Sequence, residues 1–403
     1  MNEQFARLAV NIGANVQKGG TLVLSAPVEC AGFARLIAEA AYEAGAREVV
    51  TRWSDDAMAR LKYLKADGAV FDEFPRWMKV MYDEFAGKKA ALLTIHATDP
   101  ELLKDADPDR ITRWGKASGT ALKPFFDKQM ANEFAWCIVS MPTPSWARRV
   151  FPGLDGEAAV DALWNAIEKA TRLEGDAVAN WREHLAVMER RAAGLTDYNF
   201  KKIRYLNGLG TDLTVELPDN HKWIACGEKT KDGVPFVANM PSEEIFTLPK
   251  KDGVNGVLYS SMPLSLNGNI VDGMRFTFKD GRIVDAQAEK GLEYLRNELN
   301  IDEGARYLGE AALVPHNSPI SNLGILFYNT LFDENASCHF AFGKAYPCFR
   351  DAETAGGEVM KARGMNDSLT HTDFMVGTAD LSIVGTTQDG REIPVFVNGN
   401  FAE

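Results

Sequence analysis

The stretch TLVLSAPVECAGFARLIAEAAYEAGAREVVTRW, residues 21–53, decides the fold class of the first half of the chain. It opens with a short apolar run, TLVLSA, which predicts a buried strand. EVVTRW, at its other end, predicts a second strand. Between them, apolar side chains recur at helical spacing before Gly45, a residue that favours a helix end, and they are Phe33, Leu36, Ile37, Ala40, Ala41 and Ala44. A strand, a helix and a strand in succession are typical of a parallel sheet.

The same alternation continues up to about residue 195. AALLTIHA (90–97) and CIVSMP (137–142) are predicted to be strands separated by helical segments, and residues 156–193 are predicted to be helical. We therefore expect an α/β domain with a parallel sheet over residues 1–195.

The second half has a different pattern, in which short alternating segments follow one another from about Tyr198. Only one helix, over roughly 289–299, is expected there. Four Asp-Gly dipeptides, a strong hairpin signal, join the short segments: Asp252-Gly253, Asp272-Gly273, Asp280-Gly281 and Asp389-Gly390. We expect residues 196–403 to form a strand-rich α+β domain.

Composition excludes several classes of protein. The chain has 403 residues and a net charge of −12, which disfavours binding to nucleic acid. Apolar runs are too short to span a membrane, and the first residues do not resemble a signal peptide. The five cysteines form no Cys-x-x-Cys pair, so we expect a reduced, cytoplasmic protein.

Common cofactor and nucleophile motifs are absent from the sequence. The nearest match to a dinucleotide-binding motif is Gly208-Leu209-Gly210, where Leu213 replaces the third glycine. The sequence has no phosphate-binding P-loop, no His-Glu-x-x-His and no Gly-x-Ser-x-Gly.

Hard metal ligands instead lie beside predicted strands in four segments of the second half. These are Glu243 and Glu244 in PSEEIFTLP, Glu310 in LGEAALVP, His339 and Tyr346 in FDENASCHFAFGKAYP (332–347), and His371 and Asp373 in HTDFMVG. His371 and Asp373 are two residues apart, so on a strand they point to one face, where they form either half of a metal site or an ordinary hydrogen-bonded pair. Each of the others also has a structural interpretation: Glu310 as a solvated strand end, His339 and Tyr346 as core residues.

Taken together, three carboxylates, two imidazoles and a phenol are too many donors for one four-coordinate zinc ion. They suit two ions a few ångströms apart, and the oxygen-rich set favours Zn, Co or Mn.

The four segments, in this order and spacing, resemble the thermophilic-type metalloaminopeptidases. The most specific part is NTLFDENASCHFAFG, and the resemblance covers nearly the whole chain, including YEAGAREVVTRWSDD near the N-terminus. It implies a cytoplasmic, homodimeric exopeptidase with a two-metal site in the C-terminal domain. Its implied metal ligands are Glu244, Glu310, His339, Tyr346, His371 and Asp373.

By the same resemblance, two metal ions activate a water that attacks the first peptide bond of a substrate with a free N-terminus. Glu244 or Glu310 is the expected general base, and Tyr346 is expected to help hold the oxyanion. Glu243 is left as a supporting group or a surface charge. Asp333 and Glu334 are candidates for receiving the substrate α-amine, with a polar turn as the alternative.

Two other functions fit the same residues. Two-metal sites also hydrolyse phosphate esters, although the ligand segments carry only Lys344 and, further on, Arg350 as cationic groups. Alternatively, the C-terminal domain is a binding or assembly module in which the polar groups are structural pairs.

Overall fold

The helices and strands are seen in a computed structural model, which describes residues 2–266 and 268–402. Its α-helices are α1 Asn2–Leu8, α2 Ala31–Glu43, α3 Asp56–Lys65, α4 Arg76–Gly87, α5 Pro108–Met130, α6 Pro144–Val150, α7 Gly156–Ala170, α8 Ala177–Tyr198, α9 Leu292–Glu298, α10 Thr330–Asp333 and α11 Gly357–Ala362. Shorter helical turns are the π-helical turn Ala9–Gly13 and the 3-10 turns Val28–Cys30, Gly68–Phe71, Gly304–Arg306, Ser321–Leu323 and Glu334–Ala336.

The strands of the first half are β1 Thr21–Pro27, β2 Glu48–Ser54, β3 Ala91–Ile95 and β4 Trp136–Val139. Those that follow are β5 Phe200–Leu206, β6 Asp212–Glu216, β7 Ile224–Ala225, β8 Gly227–Lys229, β9 Pro235–Val237, β10 Ile245–Thr247, β11 Val254–Tyr259, β12 Leu264–Leu266, β13 Asn269–Val271, β14 Arg275–Lys279, β15 Arg282–Gln287, β16 Leu308–Leu313, β17 His339–Gly343, β18 His371–Met375, β19 Ser382–Thr387, β20 Glu392–Val397 and β21 Asn400–Phe401.

The first four strands form the parallel sheet that the sequence predicts. β1 pairs in parallel with β2 and β3, and β3 pairs in parallel with β4, which gives the order β2-β1-β3-β4. β1 is one of the two interior strands, and its residues Leu22, Val23 and Leu24 are buried, as is usual for a strand of a parallel sheet. The helix predicted from residues 31–44 is α2, and Gly45 follows it with a φ of 93°, a conformation that favours glycine.

Residues 156–193 differ from the single helical segment expected from the sequence. They form α7 and the larger part of α8, separated by a turn. Arg172 and Gly175 have φ angles of 54° and 73°, which no α-helix accommodates. Leu173, inside this turn, is fully buried, so its packing stabilises the break.

By their internal contacts, the residues divide into two compact units. The first contains residues up to 187 together with 226–242 and 325–331. The second contains 188–225, 243–324 and the chain from 332 onwards. The sequence-based boundary at 195 stays a prediction of where the chain divides.

Hydrogen bonds show how the two returning segments join the first unit. In 226–242, the carbonyl of Ala238 accepts a hydrogen bond from the Ile138 N–H at 2.7 Å, so this segment runs alongside β4. In 325–331, the carbonyl of Phe327 accepts a hydrogen bond from the indole of Trp146 at 2.6 Å.

Two large antiparallel sheets build most of the second unit, and β12 and β13 form a small two-stranded one. One of the large sheets has the order β18-β17-β16-β10-β7, and the other β15-β14-β11-β6-β5-β19-β20-β21. Aromatic rings fill the space between the two sheets: the Tyr205 and Phe340 centroids are 4.9 Å apart, and those of Phe276 and Phe374 are 5.0 Å apart. One face of the five-stranded sheet is therefore apolar core, which leaves its other face for polar side chains.

The Asp-Gly dipeptides behave in two ways. Asp280-Gly281 joins the paired strands β14 and β15, and both residues have positive φ, as a tight hairpin turn requires. Asp389-Gly390 likewise joins the paired strands β19 and β20. Asp252-Gly253 and Asp272-Gly273 instead lie between strands that pair with other partners, so the hairpin prediction is wrong at those two places.

All five cysteines are buried thiols. Within the described residues, no helix has the length and apolar character needed to cross a membrane.

Candidate metal centre

The pairing of β16, β17 and β18 places the predicted ligands on the polar face of the five-stranded sheet. Glu310 is opposite Ala341, which is opposite Asp373, and residues opposite one another point to the same face. Two residues further along the strands in either direction, His339 is opposite Ala312 and His371 is opposite Gly343, on the same face. The small partners leave room between the larger ligand side chains.

Glu244 approaches from β10 at the next position across the sheet. Phe246 is opposite Ala312, so Glu244, two residues earlier, enters on the same face as His339. Of the two adjacent acids, Glu244 is the one whose carboxylate lies near His339, with Oε2 at 3.1 Å from Nε2. Glu243 is also buried, and its backbone N–H donates to Oδ1 of Asn335 at 2.7 Å.

Glu310 reaches both histidines with different oxygen atoms. Its Oε1 lies 3.6 Å from Nε2 of His339, and its Oε2 lies 3.5 Å from Nε2 of His371. Glu244, Glu310 and His339 form one group whose ligand atoms all lie within 4.8 Å of one another, and Glu310, His371 and Asp373 form a second such group. Glu310 is shared by the two groups, as a carboxylate that bridges two ions would be.

Backbone carbonyls fix the orientation of both imidazoles. His339 donates from Nδ1 to the carbonyl of Glu334 at 2.8 Å, and His371 donates from Nδ1 to the carbonyl of Lys344 at 2.6 Å. Because Nδ1 of each ring donates to a carbonyl, Nε2 is the nitrogen that faces the carboxylates and is available to ligate a metal ion. Support of this kind is the usual arrangement around a metal-ligating histidine.

The carboxylates and the imidazoles of this centre change one another's pKa values. Burial, together with the negative charges of Asp373 and Glu244, raises the pKa of Glu310 to about 7. Burial alone would lower the pKa of His371, but Asp373 and Glu310 outweigh it and raise that pKa to about 9. The pKa of His339 is also raised well above its ordinary value, against the effect of burial, by Glu244 and Glu310.

The donor set fits a divalent cation. Oδ1 of Asp373 is buried and accepts no hydrogen bond, although it lies 3.4 Å from Nε2 of His371. A buried acceptor without a donor is unfavourable in a protein interior, and a cation would satisfy it. Mixed carboxylate and imidazole donors suit zinc, cobalt or manganese.

Tyr346 lies beside the second group. Its ring meets the ring of His371 edge to face, with centroids 5.5 Å apart, and it also packs against Phe246 at 5.4 Å. Its predicted role as a metal ligand stays a prediction.

Glu334 is the second buried acid of the segment 332–347 near this centre, and the 3-10 turn Glu334–Ala336 places it there. Its Oε1 lies 3.4 Å from Nδ2 of Asn335. Burial raises the pKa of Glu334 well above its ordinary value, and the charges of Asp373 and Glu244 add to this effect. The neighbouring acid, Asp333, is buried as well.

Sequence reasoning missed Gly309, which shapes the start of β16. Leu308 is opposite Phe342 on the apolar face while Glu310 is opposite Ala341, so a bulge separates the two residues. A Cβ atom on Gly309 would lie 2.4 Å from the carbonyl oxygen of Lys344, the group that orients His371. The glycine of Leu-Gly-Glu was the available signal, because glycine inside a strand often marks a bulge or a close backbone approach.

Comparison with known proteins gives the family. The family model described as thermophilic metalloprotease (M29) matches residues 1–401. Aminopeptidase 2 of Geobacillus stearothermophilus is 46% identical over 402 residues, which are 99% of this chain and 97% of that protein. Aminopeptidase AmpS of Bacillus subtilis (strain 168) is 44% identical over 400 residues, which are 99% and 97% of the two chains.

A solved structure agrees with these sequence matches. Wild-type AmpT from Thermus thermophilus matches with a TM-score of 0.91 at 38% identity, covering 100% of this chain and 99% of that one. The resemblance drawn from the four motifs is thereby confirmed over the full length of the chain.

Proposed function

Because the chain belongs to the thermophilic metalloprotease family M29, we propose that it is an aminopeptidase that releases N-terminal residues from short peptides with two divalent metal ions. The observation that carries the two-metal proposal is the position of Glu310, whose two oxygens face different histidines. Glu310 would contribute to both metal sites. Glu244 and His339 complete one site, and His371 and Asp373 complete the other.

Zinc, cobalt or manganese ions held there would supply Lewis acidity at the scissile carbonyl and a nucleophilic water at neutral pH. The carboxylate of Glu244 or Glu310 would take a proton from such a water and pass it to the leaving amine. Tyr346, next to His371, is assigned as a donor to the oxyanion or as the further ligand that the family resemblance implies. The apolar face of the sheet keeps the backbone beneath these groups fixed.

An aminopeptidase must also recognise a charged α-amine, and we assign Glu334 to this task. The α-amine has a pKa near 8, so most of it is protonated at neutral pH. Glu334 is 7% exposed, and its charge acts on the same carboxylates and histidine that form the metal groups. An ammonium beside it would favour its ionised form and would place the first peptide bond next to the metal centre.

Phosphate-ester hydrolysis has less support. Arg350 is one of the two cationic side chains noted near the ligand segments. Its guanidinium N–H donates a hydrogen bond to the carbonyl of Thr196. We also propose that the protein is reduced and cytoplasmic, which its five buried thiols support. The net charge of −12 supports the proposal that it binds no nucleic acid, and the family resemblance supports a homodimer.

The test is hydrolysis of three chromogenic substrates: leucine p-nitroanilide, its N-acetyl derivative and p-nitrophenyl phosphate. We expect only the first to be cleaved, with activity lost in EDTA and restored by zinc or cobalt ions. His339→Ala should lower kcat/KM by more than about 100-fold, because a metal ligand is removed. The matched control is His316→Ala, which changes an exposed histidine.

Cleavage of the phosphate monoester alone would move the protein to the competing two-metal class. Chelator-insensitive cleavage of the anilide would contradict the assigned metal centre.

A further inference from the structure

The segment that carries His371 and Asp373 alternates between two kinds of side chain. In Ser-Leu-Thr-His-Thr-Asp, residues 368–373, hydroxyl side chains occupy every second position and the two metal-binding candidates occupy positions between them. Because successive strand residues point to opposite faces, the threonines point away from the metal centre. Thr372 is opposite Phe342, a residue of the apolar face, which agrees with this orientation.

A buried carboxylate accepts hydrogen bonds from both threonines. Oε1 of Glu298, the last residue of α9, accepts from the Thr370 hydroxyl and from the Thr372 hydroxyl, the latter at 2.9 Å. These two residues flank His371 directly, so a single oxygen atom holds the chain on both sides of a ligand.

Asp302, four residues after Glu298, holds the start of the same segment. Its Oδ1 accepts a hydrogen bond from the Ser368 hydroxyl at 2.7 Å, and its Oδ2 accepts one from the Leu369 N–H at 2.6 Å. The end of α9 and the residues after it thus accept hydrogen bonds from four residues of the segment: Ser368, Leu369, Thr370 and Thr372. We call Glu298 and Asp302 together the acidic clamp.

Stability alone is a weak reason for Glu298 to be a carboxylate. Glu298 is 6% exposed, and burial raises the pKa of its carboxyl group despite the hydrogen bonds from the two threonines. Among residues 2–266 and 268–402, the hydrogen bonds to the Glu298 carboxyl group come from hydroxyls and no ion pair involves it. Burying such a carboxyl group is unfavourable relative to an apolar side chain. The hydrogen bonds instead restrict the rotamers of Thr370 and Thr372 and the position of the backbone between them.

We propose that Glu298 is a positioning residue, which acts through Thr370 and Thr372 to hold His371 and Asp373 where they ligate a metal ion. The inference rests on the proposed metal centre but concerns residues that contact no metal ion. It predicts that loss of the clamp weakens one of the two metal sites, the His371–Asp373 site, and leaves the Glu244–His339 site in place. Supporting hydrogen bonds of this kind change metal affinity by about 10- to 100-fold.

The experiment is a calorimetric titration of the full-length, metal-free protein with zinc ions. We expect two equivalents to bind to the wild type. Glu298→Ala should weaken one of the two equivalents by about 10-fold or more and leave the other unchanged. Glu298→Gln keeps an Oε1 acceptor, so it should restore most of that affinity.

A control and a second variant separate positioning from folding. Glu303→Ala is the matched control. Glu303 directly follows Asp302, but its carboxylate pairs with Arg282 on the surface. Should Glu298→Ala fail to fold, the double variant Thr370→Val/Thr372→Val removes the same hydrogen bonds with little change in side-chain shape. It should show the same selective loss.

Two results would overturn the inference in distinguishable ways. If the wild type binds two equivalents and Glu298→Ala or the double variant binds them equally well with only a lower Tm, the clamp is structural and the inference fails. If the wild type itself binds no zinc, the proposed metal centre fails and the inference fails with it.

Discussion

Glu310 shows how much of this site depends on one side chain. It is 4% exposed and faces His339 with one oxygen and His371 with the other. A carboxylate in such surroundings is unfavourable without opposite charge, because burial removes its hydration. Glu310 is one of the acids that raise the pKa values of both histidines, so protons on the imidazoles are one source of that charge. Metal ions at the same atoms would replace those protons.

At the same scale, Glu334→Gln should raise KM for leucine p-nitroanilide by about 10-fold or more while kcat changes less, because a charge-assisted hydrogen bond to the substrate ammonium is lost. Inhibition measurements provide the sharper comparison. Leucine hydroxamate should inhibit the wild type more strongly than 4-methylpentanohydroxamate, which lacks the amine, and Glu334→Gln should reduce that difference.

The exposed acid Glu353 supplies the control for this prediction, as Glu353→Gln. A variant at Glu334 that still prefers the amine-bearing inhibitor to the wild-type extent would exclude Glu334 as the amine acceptor. Asp333→Asn would then be the next variant to compare.

At the scale of single elements, the sequence predicts strand identity better than strand register. The segments 21–26, 48–53, 90–97 and 137–142 each coincide with a strand to within about one residue at the ends where the strand extends beyond the segment, because a run of apolar residues is a local signal. The bulge at Gly309 and the break between α7 and α8 depend on partners far away in sequence, such as the backbone of Lys344. The glycine of Leu-Gly-Glu can suggest a bulge, but no local pattern identifies the distant backbone that it approaches.

The same distinction applies to the site. Residues 371 and 373 share a face by strand periodicity alone, whereas the approach of Glu244 to His339 requires the pairing of β10, β16 and β17. Hence the residues of each motif could be read from the sequence, but the shared position of Glu310 between the two histidines could not. Glu298 lay within the predicted helix 289–299, yet no property of that helix marks its end as a partner of Thr370 and Thr372.

Gly309→Ala should destabilise the protein by about 1–3 kcal/mol and weaken metal binding at His371, because the new methyl group would overlap backbone atoms that have no room to move. A Cβ atom there would lie 2.4 Å from the Lys344 oxygen and 2.5 Å from that of Gly343. Thermal unfolding and zinc titration measure the two effects.

Gly194→Ala is the matched substitution, since Gly194 lies in α8 and a Cβ there would meet no atom within 4 Å. It should be neutral or slightly stabilising, because alanine favours a helix more than glycine does. Equal stability and equal zinc affinity of Gly309→Ala and the wild type would refute the role given to the bulge.

At the scale of the whole molecule, the two units are built from interleaved stretches of chain. Residues 226–242 and 325–331 belong to the first unit although the second unit surrounds them in sequence. Composition and periodicity change once, near residue 195, so they predict a single boundary. The returning segments are placed by hydrogen bonds such as that from Trp146 to Phe327, which no local pattern reveals.

The proposed ligands nevertheless all lie in the second unit. Glu310, His339, His371 and Asp373 lie on one face of the five-stranded sheet, in β16, β17 and β18, and Glu244 directly precedes β10 of the same sheet. The paired backbone of these strands holds the ligands in register. The whole account therefore depends on whether this face binds two metal ions and whether catalysis needs both.

The most direct measurement is a titration of the metal-free protein with cobalt ions, in which bound metal and leucine p-nitroanilide hydrolysis are followed on the same samples. The account predicts that two equivalents bind per chain, that full activity requires the second equivalent, and that His339→Ala remains inactive at saturation. Full activity at one equivalent would contradict the two-metal centre. Activity in the metal-free protein would contradict the metal-dependent mechanism as a whole.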